Sequence, residues 1–173
     1  MKRIPCVTLR APEPEDLDLL YRWENDPKQW HNSLTPPLTS RFQLQRYIEG
    51  FSGDIAVDGS LRLVIEPETV GSKGVPAGTI DVCDFNRRGR SAFVSIYIDE
   101  RRRGEGYGYS ALSLLCDTYC EALGISNLGA LIASDNTASQ QLFSRAGFRK
   151  CGILPSWLGP EKDLLIYYRS LFF

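Results

Sequence analysis

Three glycines alternate at Gly104, Gly106 and Gly108, directly after Arg101, Arg102 and Arg103. The pattern Arg103-Gly104-Glu105-Gly106-Tyr107-Gly108 sits between a strand-like run, Ser91 to Ile98, and a strongly amphipathic stretch from about Ser110 to Leu123. The first turn of a helix carries unpaired N–H groups and the positive end of the helix dipole. Glycines let an anion come close to those groups, so the segment fits a phosphate-bearing ligand. A P-loop would end in Gly-Lys-Ser/Thr, which is missing. A Rossmann fingerprint would open a parallel sheet and be followed by an acidic residue ~20 positions on, whereas here several meander-like strands come first. An arginine-rich surface turn ahead of a helix has the same glycine count, so the surrounding elements must decide.

Those elements read as one unit. The apolar run at Cys6 to Arg10 is a short strand, and Pro12 and Pro14 break it. Leu17, Leu19, Leu20, Tyr21 and Trp23 then recur at a mostly helical spacing over Glu15 to Asn25, closed by Asp26-Pro27. Lys28 to Leu38, with Trp30, His31 and Pro36-Pro37, is irregular. Thr39 or Ser40 caps a second helix to about Phe51. Strands follow at Leu61 to Glu66, Ala77 to Phe85 and Ser91 to Ile98, the last two joined by the turn Asn86 to Arg90. After the glycine segment, a helix runs to about Leu123 with Gly124 as its C-cap. It presents Ala111, Leu112, Leu115, Cys116, Tyr119 and Leu123 on one face. Leu128 to Ala133 is a strand, Asn136 to Arg145 a helix ended by Gly147, and Phe148 to Leu154 and Leu164 to Tyr168 are the last strands.

The chain of 173 residues fits a single mixed α/β domain over 1–173, with 43% hydrophobic and 24% charged residues and no repeat or linker. Twenty basic residues balance 21 acidic ones, which argues against a general nucleic-acid binder. The five cysteines, at 6, 83, 116, 120 and 151, form no C-x-x-C pair, and His31 is the only histidine. The expectation is reduced, mostly buried thiols and no metal site. No apolar run approaches the ~18 residues of a membrane span, so a soluble, cytoplasmic protein is expected.

On these residues the sequence resembles the GNAT superfamily of N-acetyltransferases. Arg103-Gly104-Glu105-Gly106-Tyr107-Gly108 is similar to its Arg/Gln-x-x-Gly-x-Gly/Ala signature after the fourth strand. Asn136-Thr137-Ala138-Ser139, Leu142-Phe143 and Ala146-Gly147-Phe148 are similar to its downstream Asn-x-x-Ala/Ser element. Thr8 to Pro12, Asp16-Leu17 and Trp23-Glu24-Asn25-Asp26 resemble the branch that holds ribosomal-protein N-terminal acetyltransferases and spermidine N-acetyltransferase. The resemblance implies an α+β fold, with a mixed, mostly antiparallel sheet of about six to seven strands, about four flanking helices, and fourth and fifth strands that splay apart. It implies transfer of an acetyl group from acetyl-CoA, without a metal, to a primary amine, either a protein N-terminus or a small amine, attacking directly in a ternary complex. Acetyl-CoA and the amine are then the partners, with neither nucleic acid nor membrane among them; a homodimer stays open.

By the same resemblance, backbone groups at Tyr97 and Ile98 bind pantetheine, and those of Arg103, Gly104, Glu105, Gly106, Tyr107 and Gly108 hold the pyrophosphate. Asn136 and Ser139 meet the cofactor arm, unless they merely cap a helix. An N–H near Ile98 stabilises the oxyanion. Glu24 is the expected base or acceptor contact, and Trp30 and His31 border the acceptor. Many relatives donate a proton to the thiolate from a tyrosine seven residues after the Asn, where this chain has Phe143. Ser139 is then the first candidate donor, ahead of Tyr97 and Tyr107. Phe143 also motivates the alternative of a catalytically impaired acyl-CoA-binding regulatory module. A small nucleotide-binding domain is a third reading.

Overall fold

The computed structural model describes residues 4–30, 38–69 and 74–171. Seven strands form one sheet in the order β1-β2-β3-β4-β5-β7-β6. They are β1 (Val7–Arg10), β2 (Leu61–Pro67), β3 (Gly78–Asn86), β4 (Ser91–Ile98), β5 (Asn127–Ala133), β6 (Arg149–Leu154) and β7 (Leu164–Ser170). Every neighbouring pair is antiparallel except β4 and β5. A parallel pair needs a long crossover, and the amphipathic helix supplies it.

β4 and β5 meet only at their starts, where Ser91, Ala92 and Phe93 lie opposite Asn127, Leu128 and Gly129. The Phe93 ring lies on Gly129, where a Cβ would stand 2.7 Å from it, so only glycine lets the strands meet at this root. Beyond the root, Val94–Ile98 and Ala130–Ala133 run unpaired with each other. The expected splay of the fourth and fifth strands is therefore present.

The crossover begins as α5, after five helical segments of the N-terminal half: a 3-10 turn at Pro14–Asp16, α1 (Leu17–Glu24), α2 (Pro27–Trp30), α3 (Arg41–Glu49) and α4 (Ile55–Asp58). α5 (Tyr107–Leu114) passes through a π-helical turn, Leu115–Tyr119, into α6 (Cys120–Ala122), and α7 (Thr137–Arg145) follows β5. The four long helices match the expected number. The one-turn α2 occupies a stretch read as irregular, and α4, the 3-10 turn and the π turn carry no periodicity a sequence could reveal, because each is too short. Ser40 caps α3 through a reciprocal pair: Gln43 N–H donates to Ser40 Oγ (3.1 Å) and Ser40 N–H to Gln43 Oε1 (2.8 Å). Gly124 ends the crossover with φ +71°.

α5 and α7 lie on one face of the sheet, where Ala111, Leu112, Leu115 and Phe143 join Val94, Leu128 and Ile132 in the main core. α1 and α3 lie on the other, where Leu20, Trp23 and Leu44 pack with Tyr97. All five cysteines are free. Burial pushes the Cys83 and Cys116 thiols up to about 11 and that of Cys120 to about 12, while Cys6 and Cys151 are exposed. The thiolate is the reactive form. Ellman's reagent should therefore label Cys6 and Cys151 quickly in the native protein, half-buried Cys83 more slowly, and buried Cys116 and Cys120 only after unfolding; fast labelling of all five would contradict this burial pattern.

Candidate functional site

The end of β4 offers its backbone to the splayed gap. A Cβ on Gly78 would stand 1.9 Å from the Tyr97 carbonyl oxygen, so that carbonyl points at β3. A trans peptide sets its N–H opposite its C=O, which turns the Ile98 N–H toward the gap. One peptide later, Asp99 N–H donates to the Ala77 carbonyl (2.9 Å), so the Ile98 carbonyl also faces the gap, where Arg103 Nε donates to it at 3.1 Å. The Ile98 N–H is thus a donor aimed at the space between β4 and β5.

The glycines beside this gap do three different things. Gly104 has φ +75° and no heavy atom within 4 Å of its Cβ position, which leaves an open approach to the backbone. Gly106, φ +97°, is the N-cap of α5 and lies against Pro5, whose Cδ would be 3.0 Å from a Cβ. Ser110 Oγ donates to the Pro5 carbonyl (2.7 Å), clasping the lead-in to β1 on the helix start. Gly108 serves packing: Leu142 and Ile98 side chains would be 3.3 and 3.5 Å from its Cβ. Gly108 thus brings α5 against β4 and α7, while its backbone N–H stays in the first turn of α5.

Around the loop, Asp99 Oδ1 accepts from Arg101 N–H (3.0 Å) and caps the 3-10 turn Glu100–Arg102. Arg102 donates to Tyr107 Oη (2.8 Å) and its guanidinium lies 4.8 Å from the Tyr107 ring centre. Arg102 Nε is buried without a hydrogen bond, with Glu105 Oε2 3.6 Å away. The loop is thus arginine-rich and glycine-opened at a helix start, an arrangement suited to a diphosphate.

On the β5 side, Asn136 is the N-cap of α7, its Oδ1 accepting from Ser139 N–H at 3.1 Å. Capping uses the amide oxygen and leaves the Nδ2 donor, so the structural and ligand roles are compatible. Ser139 is half-buried in the first turn of α7. Phe143 is 3% exposed and packs edge-to-face on Phe148 with centroids 5.0 Å apart.

On the α1 face, Trp23 Nε1 donates to Asp99 Oδ2 (2.8 Å), and the Trp23 ring stands 5.4 Å from that of Tyr97. Burial alone would raise the Asp99 carboxyl, but the Trp23 indole, the Arg101 N–H and Arg22 together hold it below the usual carboxylate range. Burial first, and then Asp99, push the Tyr97 phenol up to about 12, so it stays protonated near neutral pH. Glu24 is held by Arg62, whose Nη1 donates to its Oε1 at 2.5 Å. Arg62 also grips both Asp81 oxygens, each at 2.8 Å, and its backbone N–H donates to Tyr47 Oη (3.1 Å). Arg62 is on β2, two strands from the gap edge, or ~10 Å at the usual strand spacing. Asp81 pairs across with Ser95 on β4, so Glu24, Arg62, Asp81 and Ser95 form a polar row leading toward the gap.

Trp30 ends α2. His31 lies outside the described residues. Among the described residues no three His, Cys, Asp or Glu side chains cluster as a metal site, and no helix is long and apolar enough to cross a membrane. Sequence reasoning missed Arg62, Asp81 and Asp99. Arg62 and Asp81 did leave a signal, opposite charges among the apolar residues of two adjacent strands.

The acetyltransferase (GNAT) domain family matches residues 7–149. The chain is 40% identical over 173 residues to "Putative phosphinothricin acetyltransferase YwnH" of Bacillus subtilis (strain 168), covering 95% of this chain and 99% of that one. Among solved structures, spermidine N-acetyltransferase from Vibrio cholerae, in complex with CoA and spermine, is similar with TM-score 0.81 and 22% identity, covering 95% of each chain. RimL, a ribosomal L7/L12 alpha-N-protein acetyltransferase in complex with CoA, is similar with TM-score 0.78 and 20% identity, covering 95% of this chain and 94% of that one.

Proposed function

The chain belongs to the GNAT acetyltransferase family, and from that membership we propose that it moves the acetyl group of acetyl-CoA to a primary amine in a ternary complex. The observation that carries this reading is the Ile98 N–H aimed into the β4–β5 gap, with the Gly104 backbone open beside it. The cradle from Arg103 to Gly108 takes the diphosphate, and backbone groups at Tyr97 and Ile98 take the pantetheine arm. The Asn136 amide N–H meets the same arm from the β5 side.

The neutral amine attacks the thioester carbonyl carbon; the C–N bond forms and the C–S bond breaks. Negative charge collects on the carbonyl oxygen and is met by the Ile98 N–H. The amine's proton leaves through water along the Ser95–Asp81–Arg62 row to Glu24, whose Oε2 is not engaged by Arg62. The departing thiolate takes its proton through the Ser139 hydroxyl, which regains one from water in the same step, since Phe143 has none to give. Trp30 and His31 are the proposed acceptor contacts.

The test is thiol release from acetyl-CoA across polyamines, N-terminal peptides, aminoglycosides, amino-acid amines and phosphinothricin. Release matched by N-acetylated product with at least one primary amine is expected. Binding of CoA with no turnover on any of them would overturn the reading. Ser139→Ala should slow turnover about 10- to 100-fold at unchanged CoA affinity; unchanged turnover would remove Ser139 as donor.

A further inference from the structure

A cleft of about 580 Å³ lies at the opposite end of the sheet from the gap, where β3 turns into β4. β4 has eight residues, so the cleft and the gap are separated by ~23 Å along the strand. Its lining is mixed: buried Ile55 and half-buried Phe85 and Leu123 give the apolar part, and Asp54, Arg87 and Arg90 the charged part. The turn Asn86 to Arg90 holds three arginines and no acid, in a chain whose net charge is −1.

The turn is tied by its own hydrogen bonds and by those to the start of β5. Asn86 Oδ1 accepts from Gly89 N–H (2.8 Å). Arg90 is held at φ +47°, an uncommon conformation for a residue with a side chain, because its carbonyl accepts from both Ser126 N–H (2.7 Å) and Asn127 N–H (3.1 Å). Its Nε donates to the Gly124 carbonyl at 3.2 Å. That bond covers a carbonyl at the C-terminus of α6, whose negative end would otherwise repel an anion. The acid in the wall, Asp54, is turned to its own helix, with Oδ1 accepting from Ala56 N–H (2.8 Å).

We propose that this cleft is a second ligand site, for an organic anion with an apolar body, such as an aryl or alkyl carboxylate or sulfonate. The Ile55, Phe85 and Leu123 side chains take the body, and the Arg87 guanidinium takes the head group. The volume lies in the range of small-molecule pockets. The site is independent of the acetyl-transfer reading, and a ligand held there leaves the gap open.

The probe is 1-anilinonaphthalene-8-sulfonate, followed by its fluorescence on the whole chain. One saturable site is expected, which saturating CoA does not displace. Arg87→Glu should weaken binding about tenfold or more by reversing one wall charge. Ala122→Trp, which fills the cleft from an exposed position without changing charge, should weaken it comparably. Both variants should retain the parent's CoA affinity. Displacement of the probe by CoA, absence of saturable binding, or unchanged affinity in either variant would overturn the proposal.

Discussion

Gly104→Asp should lower CoA affinity by about a hundredfold or more while leaving the protein folded, and Gly104→Asn should keep affinity within about tenfold of the parent. The two side chains are nearly the same size. Asn and Asp both tolerate the left-handed conformation better than other residues, and Gly104 sits there with φ +75°. No heavy atom lies within 4 Å of the new Cβ, so neither variant crowds the fold. The difference between them is one negative charge beside the proposed diphosphate. Two unit charges ~4 Å apart repel by ~4 kcal/mol at the effective dielectric of a protein surface, more than the ~2.7 kcal/mol of a hundredfold loss. Gly106 is a poorer place for the same test. Its φ of +97° and the Pro5 ring at 3.0 Å mean that any side chain there disturbs the Pro5–Ser110 clasp, so lost binding would not distinguish charge from misfolding. Calorimetry with CoA on the two Gly104 variants decides the matter: equal affinity in both would show that no phosphate lies beside Gly104.

The proposed cofactor half of the site has a signal in the sequence because its chemistry is local. A strand, an alternating glycine run and a helix start are contiguous in sequence, and the conformations they need, φ +75° and +97°, are ones only glycine adopts freely. The same local signal did not reveal the packing at Gly108, since a glycine demanded by Leu142 and Ile98 packing looks identical in sequence to one demanded by a ligand. The β4–β5 splay followed from the family resemblance, not from periodicity, which is silent on which strands are neighbours. The acceptor half was less legible because it is assembled across distance. Trp23 meets Asp99 from 76 residues away, and Glu24 meets Arg62 from 38. Neither partner has a spacing that marks it. The Glu24 assignment drawn from resemblance therefore acquires, in the fold, a structural duty that the sequence did not suggest.

Arg62→Leu and Glu24→Gln separate that structural duty from the proposed catalytic one. Arg62 is the only cation between Glu24 and Asp81 in this row, and all three side chains are largely buried, at 22, 28 and 23% exposure. Removing it leaves two carboxylates facing each other with little water. Breaking a buried pair costs about 3–5 kcal/mol, and the residual exposure here brings the expectation to about 2–3 kcal/mol. At roughly 2–4 °C per kcal/mol for a domain of this size, the melting temperature should fall by about 4–12 °C. Glu24→Gln keeps an oxygen for Arg62 Nη1 to donate to and removes only the charge, so it should cost about 1 kcal/mol. Its effect on turnover should be larger, about tenfold or more at unchanged CoA affinity, because an amide cannot accept the amine's proton. The loss should shrink as pH rises and the free amine no longer depends on a base in the protein. A structural role alone would leave that pH dependence untouched. If Glu24→Gln turns over like the parent at every pH while Arg62→Leu still melts early, Glu24 is an anchor for α1 and the proton leaves by another route.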